Sequence, residues 1–222
     1  MCGRFTLHTP EDQIRAVFGV DRAHNLGLLP RYNITPGQDI PIIRASGTGR
    51  SMALARWGLV PQWSKQPTTK YSTINARIES VAEKPAYRAP FRRQRCLIPA
   101  DGFYEWKPVA GHKVPHHVRM PDGALFAFAG LWDHWSGNGV AFDSCSIIVM
   151  PAGQSIRMLH ERMPAIMAPE NQDDWLAPEL TDREGILALL DDRTAGRLQF
   201  FPVSTRVNSP RHDDAACIEP AE

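Results

Sequence analysis

Cys2 is the residue with the most specific chemistry open to it. A cysteine at position 2 is small enough for the initiator methionine to be removable. Removal places an α-amine and a thiol on one residue, with reference pKa values of about 8 and about 8.5, so each has a reactive form near neutrality. Such a 1,2-aminothiol condenses with an aldehyde to a Schiff base, and the thiol then closes a five-membered thiazolidine. Gly3 beside it leaves room for a substrate to approach. A second chemistry is open to the same residue, in which the thiolate attacks an amide and the α-amine acts as base. Three residues do not separate the two chemistries.

The remaining cysteines are Cys96, Cys145 and Cys217, and no two of the four have metal-finger or redox-motif spacing. Their number is too low for a disulfide framework, so the expected compartment is the reducing cytoplasm, with Cys96 and Cys145 as apolar filler. Apolar residues make up 43% of the 222 and charged residues 22%, the profile of an ordinary folded domain rather than a disordered chain. The longest apolar run, 124–132, is far shorter than a membrane span needs. The first twelve residues lack the hydrophobic block of a signal peptide. The net charge of +1 hides a split: residues 1–120 carry +10 and residues 121–222 carry −9. Of the 25 basic residues 20 are arginine, the side chain suited to bidentate recognition of phosphate. The split is read either as ion pairs between the halves or as a basic face for an anionic polymer.

Seven segments occur in a fixed order: Cys2-Gly3-Arg4-Phe5, Arg31-Tyr32-Asn33-Ile34-Thr35-Pro36-Gly37-Gln38, Arg56-Trp57-Gly58-Leu59-Val60-Pro61, Ile74-Asn75-Ala76-Arg77-Ile78-Glu79, Arg95-Cys96-Leu97-Ile98-Pro99-Ala100-Asp101-Gly102-Phe103-Tyr104-Glu105-Trp106, Phe128-Ala129-Gly130-Leu131-Trp132 and His160-Glu161-Arg162-Met163-Pro164. Together they closely resemble the SOS-response-associated peptidase (SRAP) family of abasic-site processing proteins, over about residues 2–207. The glutamine amidotransferases with an N-terminal nucleophile, whose start the Met-Cys-Gly also resembles, share only those first three residues. One departure is Met150, which stands where many members of that family carry threonine.

The resemblance implies binding of single-stranded DNA and capture of its abasic sites as a thiazolidine on Cys2, with peptidase-like removal of the leading residue. The alternative is an N-terminal-nucleophile cysteine amidohydrolase or peptidase with other substrates. By resemblance Cys2 is the nucleophile, and Asn75, Glu105 and His160 complete the catalytic set. Glu105 stands among Phe103, Tyr104 and Trp106, surroundings that raise a carboxyl pKa toward neutrality. An abasic sugar is mostly a closed hemiacetal, and His160 has the reference pKa to protonate its ring oxygen. Asn75 can hold the Cys2 amine through its side-chain carbonyl without adding charge. Arg4, Arg77 and Arg162 each lie within two residues of one of these groups and suit phosphates. Trp63 suits stacking on a base. A single strand is favoured because an unpaired nucleotide need not be extruded. No cofactor or metal is implied: adjacent His116 and His117 point to opposite faces of a strand. The expected protein is a monomer.

These residues need a scaffold. Strand-like runs lie at 40–44, 52–57, 95–99, 102–107, 116–120, 125–132 and 144–150, too closely spaced for crossover helices. Thr9 as cap, Pro10, Glu11 and Asp12 predict a helix with Ile14, Val17 and Phe18 on one face and Gly19 at its end. A helical stretch is expected at 79–84. Thr181 and Glu184 form a capping box ahead of Ile186, Leu187, Leu189 and Leu190. The fold class is α+β: a single domain over 1–207 with a mostly antiparallel, barrel-like sheet and flanking helices. Residues 208–222 are expected to be a polar, frayed tail.

Overall fold

Runs of β-branched and aromatic residues, punctuated by glycine and proline, become strands in the computed structural model, which describes residues 2–20, 25–47, 49–190 and 195–221. In chain order the elements are β1 (Phe5–Leu7), α1 (Glu11–Phe18), β2 (Arg31–Ile34), β3 (Asp39–Ser46), β4 (Gly49–Trp57), β5 (Asn75–Arg77), α2 (Arg88–Arg93), β6 (Arg95–Ala100), β7 (Gly102–Val109), β8 (His112–Arg119), β9 (Phe126–Gly137), β10 (Val140–Pro151), β11 (Arg162–Pro164), α3 (Gln172–Leu176), α4 (Arg183–Ala188) and β12 (Gln199–Pro202). Short 3₁₀ turns join several of them. All seven expected strand runs are present.

Strands β10, β4, β3, β6 and β9 pair in sequence, and β9 pairs back onto β10, so five strands close into a barrel. A second sheet runs β12–β8–β7–β1–β2. The β9–β10 hairpin turns on Asn138 and Gly139, both with positive φ, the geometry a two-residue hairpin loop demands. β10 is longer than the barrel needs. Its first half pairs with β9 and β4; its second half pairs with β5 on one side, Ile147 facing Asn75, and with β11 on the other, Pro151 facing Arg162.

The two sheets are joined by aromatic packing. Phe5 of β1 meets Trp57 of β4 edge-on at 5.3 Å and Phe128 of β9 at 5.8 Å. All three side chains are fully buried, and burial of such side chains contributes about 1.5–3 kcal/mol each. The Trp57 indole N–H donates to the Ile74 carbonyl at 2.9 Å. The contact that locks β1 to the barrel therefore also fixes the residue before Asn75.

Several local expectations are corrected. Helix α1 forms and ends at Gly19 in the left-handed conformation. Its Thr9 hydroxyl, however, donates to Asp101 instead of capping, and Val17 is 59% exposed. At α4 the capping side chain belongs to Asp182, which accepts from the Gly185 N–H, and not to Thr181. Residues 79–84 form turns; the helix nearby is α2, after Pro85. The segment after 207 is not frayed. Asp213 accepts from the backbone N–H groups of Tyr32 and Asn33 at 2.5 and 2.7 Å and pairs with Arg31, and Cys217 is fully buried. Of the two readings of the charge split, ion pairing between the halves is seen in Arg31–Asp213, Arg44–Asp143 and Arg50–Asp173; Arg77 is exposed.

Candidate active site

Strand β1 runs antiparallel to β7 with Phe5 opposite Phe103, which carries the start of the chain along β7 toward Glu105. The Tyr104 N–H donates to the Arg4 carbonyl at 3.0 Å. That carbonyl also lies 3.8 Å from the Cys2 sulfur. From the other sheet, the Asn75 side-chain N–H donates to the Cys2 carbonyl at 2.8 Å. Asn75 Oδ1 is buried and has no hydrogen-bond partner among the described residues. Cys2 and Asn75, 73 residues apart in the chain, are thus in direct contact.

Glu105 and His160 line a common cleft of about 360 Å³ with Trp106, Lys113 and Asn208. Glu105 is buried on β7. Burial raises its carboxyl above the ordinary carboxylate range, and nearby positive charge, that of His160 included, offsets only part of the rise. The Cys2 thiol is pushed strongly upward, first by burial and then by the charge of Glu105. In this setting the sulfur rests as the neutral thiol, with Glu105 near enough for its charge to act on it. The Arg162 N–H donates to His160 Nδ1 at 2.9 Å. Nδ1 also lies 3.2 Å from the Arg162 carbonyl, so the 160–162 segment holds the ring through Nδ1, as acceptor or as donor according to its tautomer. Tyr104 lies on the opposite face of β7, in a small second core with Val203, Val207 and Cys217. It does not supply the aromatic wall expected beside Glu105.

The four expected DNA contacts fall in three situations. Trp63 is 67% exposed and Arg77 is exposed. Arg162 is on β11, paired with Glu79 at 2.8 Å. Arg4 is built into the framework: Nη1 donates to Asn33 Oδ1 at 2.7 Å and to the Val207 carbonyl at 2.6 Å, and Nη2 to the Asn208 carbonyl at 3.3 Å. Asn33 is the hub of that framework, donating to the carbonyls of Val207, Ser209 and His212. Its motif was legible, but its partners lie some 175 residues away. Asn208, Lys113 and the exposed Tyr71 carry no signal that the sequence reading detected. The Trp106 indole N–H donates to Asn208 Oδ1 at 2.8 Å, so the last segment of the chain forms one wall of the cleft. Among the described residues no group of His, Cys, Asp or Glu is arranged to hold a metal ion, and no helix is long and apolar enough to cross a membrane.

The model of the SOS response associated peptidase (SRAP) family matches residues 1–210. The chain belongs to the SRAP family. It is similar to the abasic site processing protein YoaM of Bacillus subtilis, 39% identical over 99% of this chain and 98% of that one. It is also similar to the abasic site processing protein HMCES of Gallus gallus, 31% identical over 87% of this chain and 67% of that one. In three dimensions the SRAP chain matches a crystal structure from Bacteroides thetaiotaomicron over the full length of both, with a TM-score of 0.89 at 25% identity. The α+β fold with a closed barrel is therefore the SRAP fold. Met150, the departure noted above, is buried opposite Met163 of β11.

Proposed function

We propose that this SRAP protein binds single-stranded DNA and captures abasic sites covalently through Cys2, after peptidase-like removal of Met1. The observation that carries the reading is the Asn75–Cys2 contact, with a free-standing acceptor on Asn75 and with Glu105 and His160 at the same cleft. The names of the relatives support the substrate.

The chemistry follows from these groups. His160, as the imidazolium with Nδ1–H toward the Arg162 carbonyl, gives its Nε2 proton to the ring oxygen of the closed sugar while the anomeric hydroxyl releases its own proton to water, and the ring opens to the aldehyde. The Cys2 amine, held by Asn75 Oδ1, adds to C1, and water leaves with a proton from Glu105. The Cys2 sulfur then adds to the iminium carbon as its proton passes to the Glu105 carboxylate. The balance is one aldehyde plus one aminothiol giving one thiazolidine and one water. A carboxyl with a raised pKa suits a role that gives a proton and takes one back. Arg77 and Arg162 meet phosphates on either side of β10, and Trp63 stacks on a base. Arg4, committed to protein carbonyls, is assigned to positioning β1.

The test is intact mass spectrometry of the protein with and without an abasic single-stranded oligonucleotide. The expected result is a chain lacking Met1 and an adduct of oligonucleotide mass minus one water that survives denaturant. Cys2→Ser should abolish that stable adduct. An equally stable adduct from Cys2→Ser without reductant refutes the thiazolidine. Ammonia release from glutamine with no DNA adduct favours the amidohydrolase reading.

A further inference from the structure

Arg77 and Arg162 stand on the two short strands that flank the far half of β10. Glu79 follows β5 by two residues. Its carboxylate receives Arg162 Nη1, with both oxygens at 2.8 Å. The Glu79 side chain is 48% exposed and that of Arg162 23%, so the pair lies at the surface. The hydrogen bond from Arg162 is the largest influence on the Glu79 carboxyl, and with the charge of Arg77 it holds that group below its ordinary value. Glu79 is an anion across the neutral range and sits between two cations offered to DNA.

A carboxylate and a phosphate present the same pair of acceptor oxygens to a guanidinium fork. Two such anions compete for one fork. An exposed ion pair is worth little, so a phosphate displaces Glu79 at small cost. We propose that Glu79 is an internal counter-anion that occupies the phosphate position on Arg162 and is exchanged for a backbone phosphate when a strand binds, so that it limits how tightly undamaged DNA is held. The inference rests on the DNA-binding reading above. Its consequence is discrimination: weak reversible binding lets the protein leave intact DNA, and the covalent step retains it at an aldehyde.

The experiment measures binding of an undamaged single-stranded oligonucleotide by fluorescence anisotropy for the wild type, Glu79→Gln, Arg162→Ala and the double variant, with thermal melting of each. Glu79→Gln should bind about two- to five-fold more tightly than the wild type, the scale of an exposed pair. Arg162→Ala should bind more weakly, and adding Glu79→Gln to it should restore nothing, because Glu79 acts through Arg162. Equal or weaker binding by Glu79→Gln overturns the proposal and leaves Glu79 as a support that orients Arg162. A gain that persists without Arg162 also overturns it, as a general charge effect. A wild type that binds no single strand refutes the DNA reading itself, and the proposal with it.

Discussion

The Asn75 side chain faces Cys2 with its donor spent and its acceptor open: Nδ2 reaches the Cys2 carbonyl at 2.8 Å, and Oδ1 is buried without a partner among the described residues. An unmet buried acceptor costs about 1–3 kcal/mol. Under the proposed processing to Cys2, the new ammonium group is the donor expected to meet it. Asn75→Leu removes the open acceptor together with the Nδ2 bond to the Cys2 carbonyl, and keeps the volume. It should leave the melting temperature near that of the wild type and slow adduct formation by roughly 10–100-fold, the rate equivalent of one such interaction. Single-turnover cross-linking checks this, and a wild-type rate in Asn75→Leu would exclude Asn75 from the reaction.

Glu105 gives a prediction in which stability and activity move oppositely. Its folded-state pKa lies above the ordinary 4.5, chiefly through burial. Well below pH 4.5 the carboxyl is protonated in both states and costs nothing. As pH rises, the unfolded chain ionises first, and the folded protein either keeps its proton or buries a charge. Stability therefore falls as pH rises from 4.5 through the raised value. Glu105→Gln should be more stable than the wild type at pH 7 and equal to it at pH 4, as read by denaturant unfolding. The same variant should form adduct about 10²–10⁴-fold more slowly on every aldehyde substrate, the usual worth of a positioned acid or base.

His160 separates from Glu105 by substrate. Its assigned step is ring opening, which matters only for the closed sugar. His160→Ala should slow cross-linking on the cyclic abasic nucleotide and barely affect an oligonucleotide with an open-chain aldehyde. Equal defects on both would reduce His160 to a structural or DNA-contact residue.

His117 predicts acid sensitivity. Burial, aided by the positive charges of Arg119 and His8, pushes its pKa from 6.5 down to about 3. Its ring packs against Tyr104 and Phe201, and Nδ1 has no hydrogen-bond partner among the described residues. Below pH 6.5 the unfolded chain takes up a proton that the folded chain refuses. Stability therefore falls as pH drops, by about 2 kcal/mol between pH 6.5 and 5 for this one group. His117→Leu should flatten that limb in urea unfolding. An unchanged pH dependence would show that other groups carry it.

The long strands were legible because their apolar and β-branched runs are local signals. The short ones were not. β5, β11 and β1 are three residues each, and what makes them strands is pairing with β10 and β7 rather than their own composition. Asn75, Arg77 and Arg162 lie on two of those short strands, Cys2 and His160 just before β1 and β11, and all were reached through motif resemblance. The same limit explains Arg4: nothing near position 4 announces that its guanidinium will be met by carbonyls at 207 and 208. It explains residues 208–221 too, whose polarity read as fraying. Their order comes from the remote Asn33 and the backbone around it. Tyr104 was misassigned for a simpler reason, since alternation along β7 puts neighbours on opposite faces.

Strand β10 has one further consequence. The barrel and the strands that hold Asn75 and Arg162 share its backbone, so neither can come apart without releasing hydrogen bonds of the same strand. Local opening at the site is then tied to opening of the barrel. The amides bridging Ile74 to Ile147 and Ile78 to Val149 should exchange with solvent as slowly as those of the β9–β10 hairpin. Around Asn75 and Arg162 the candidate site has no softness of its own.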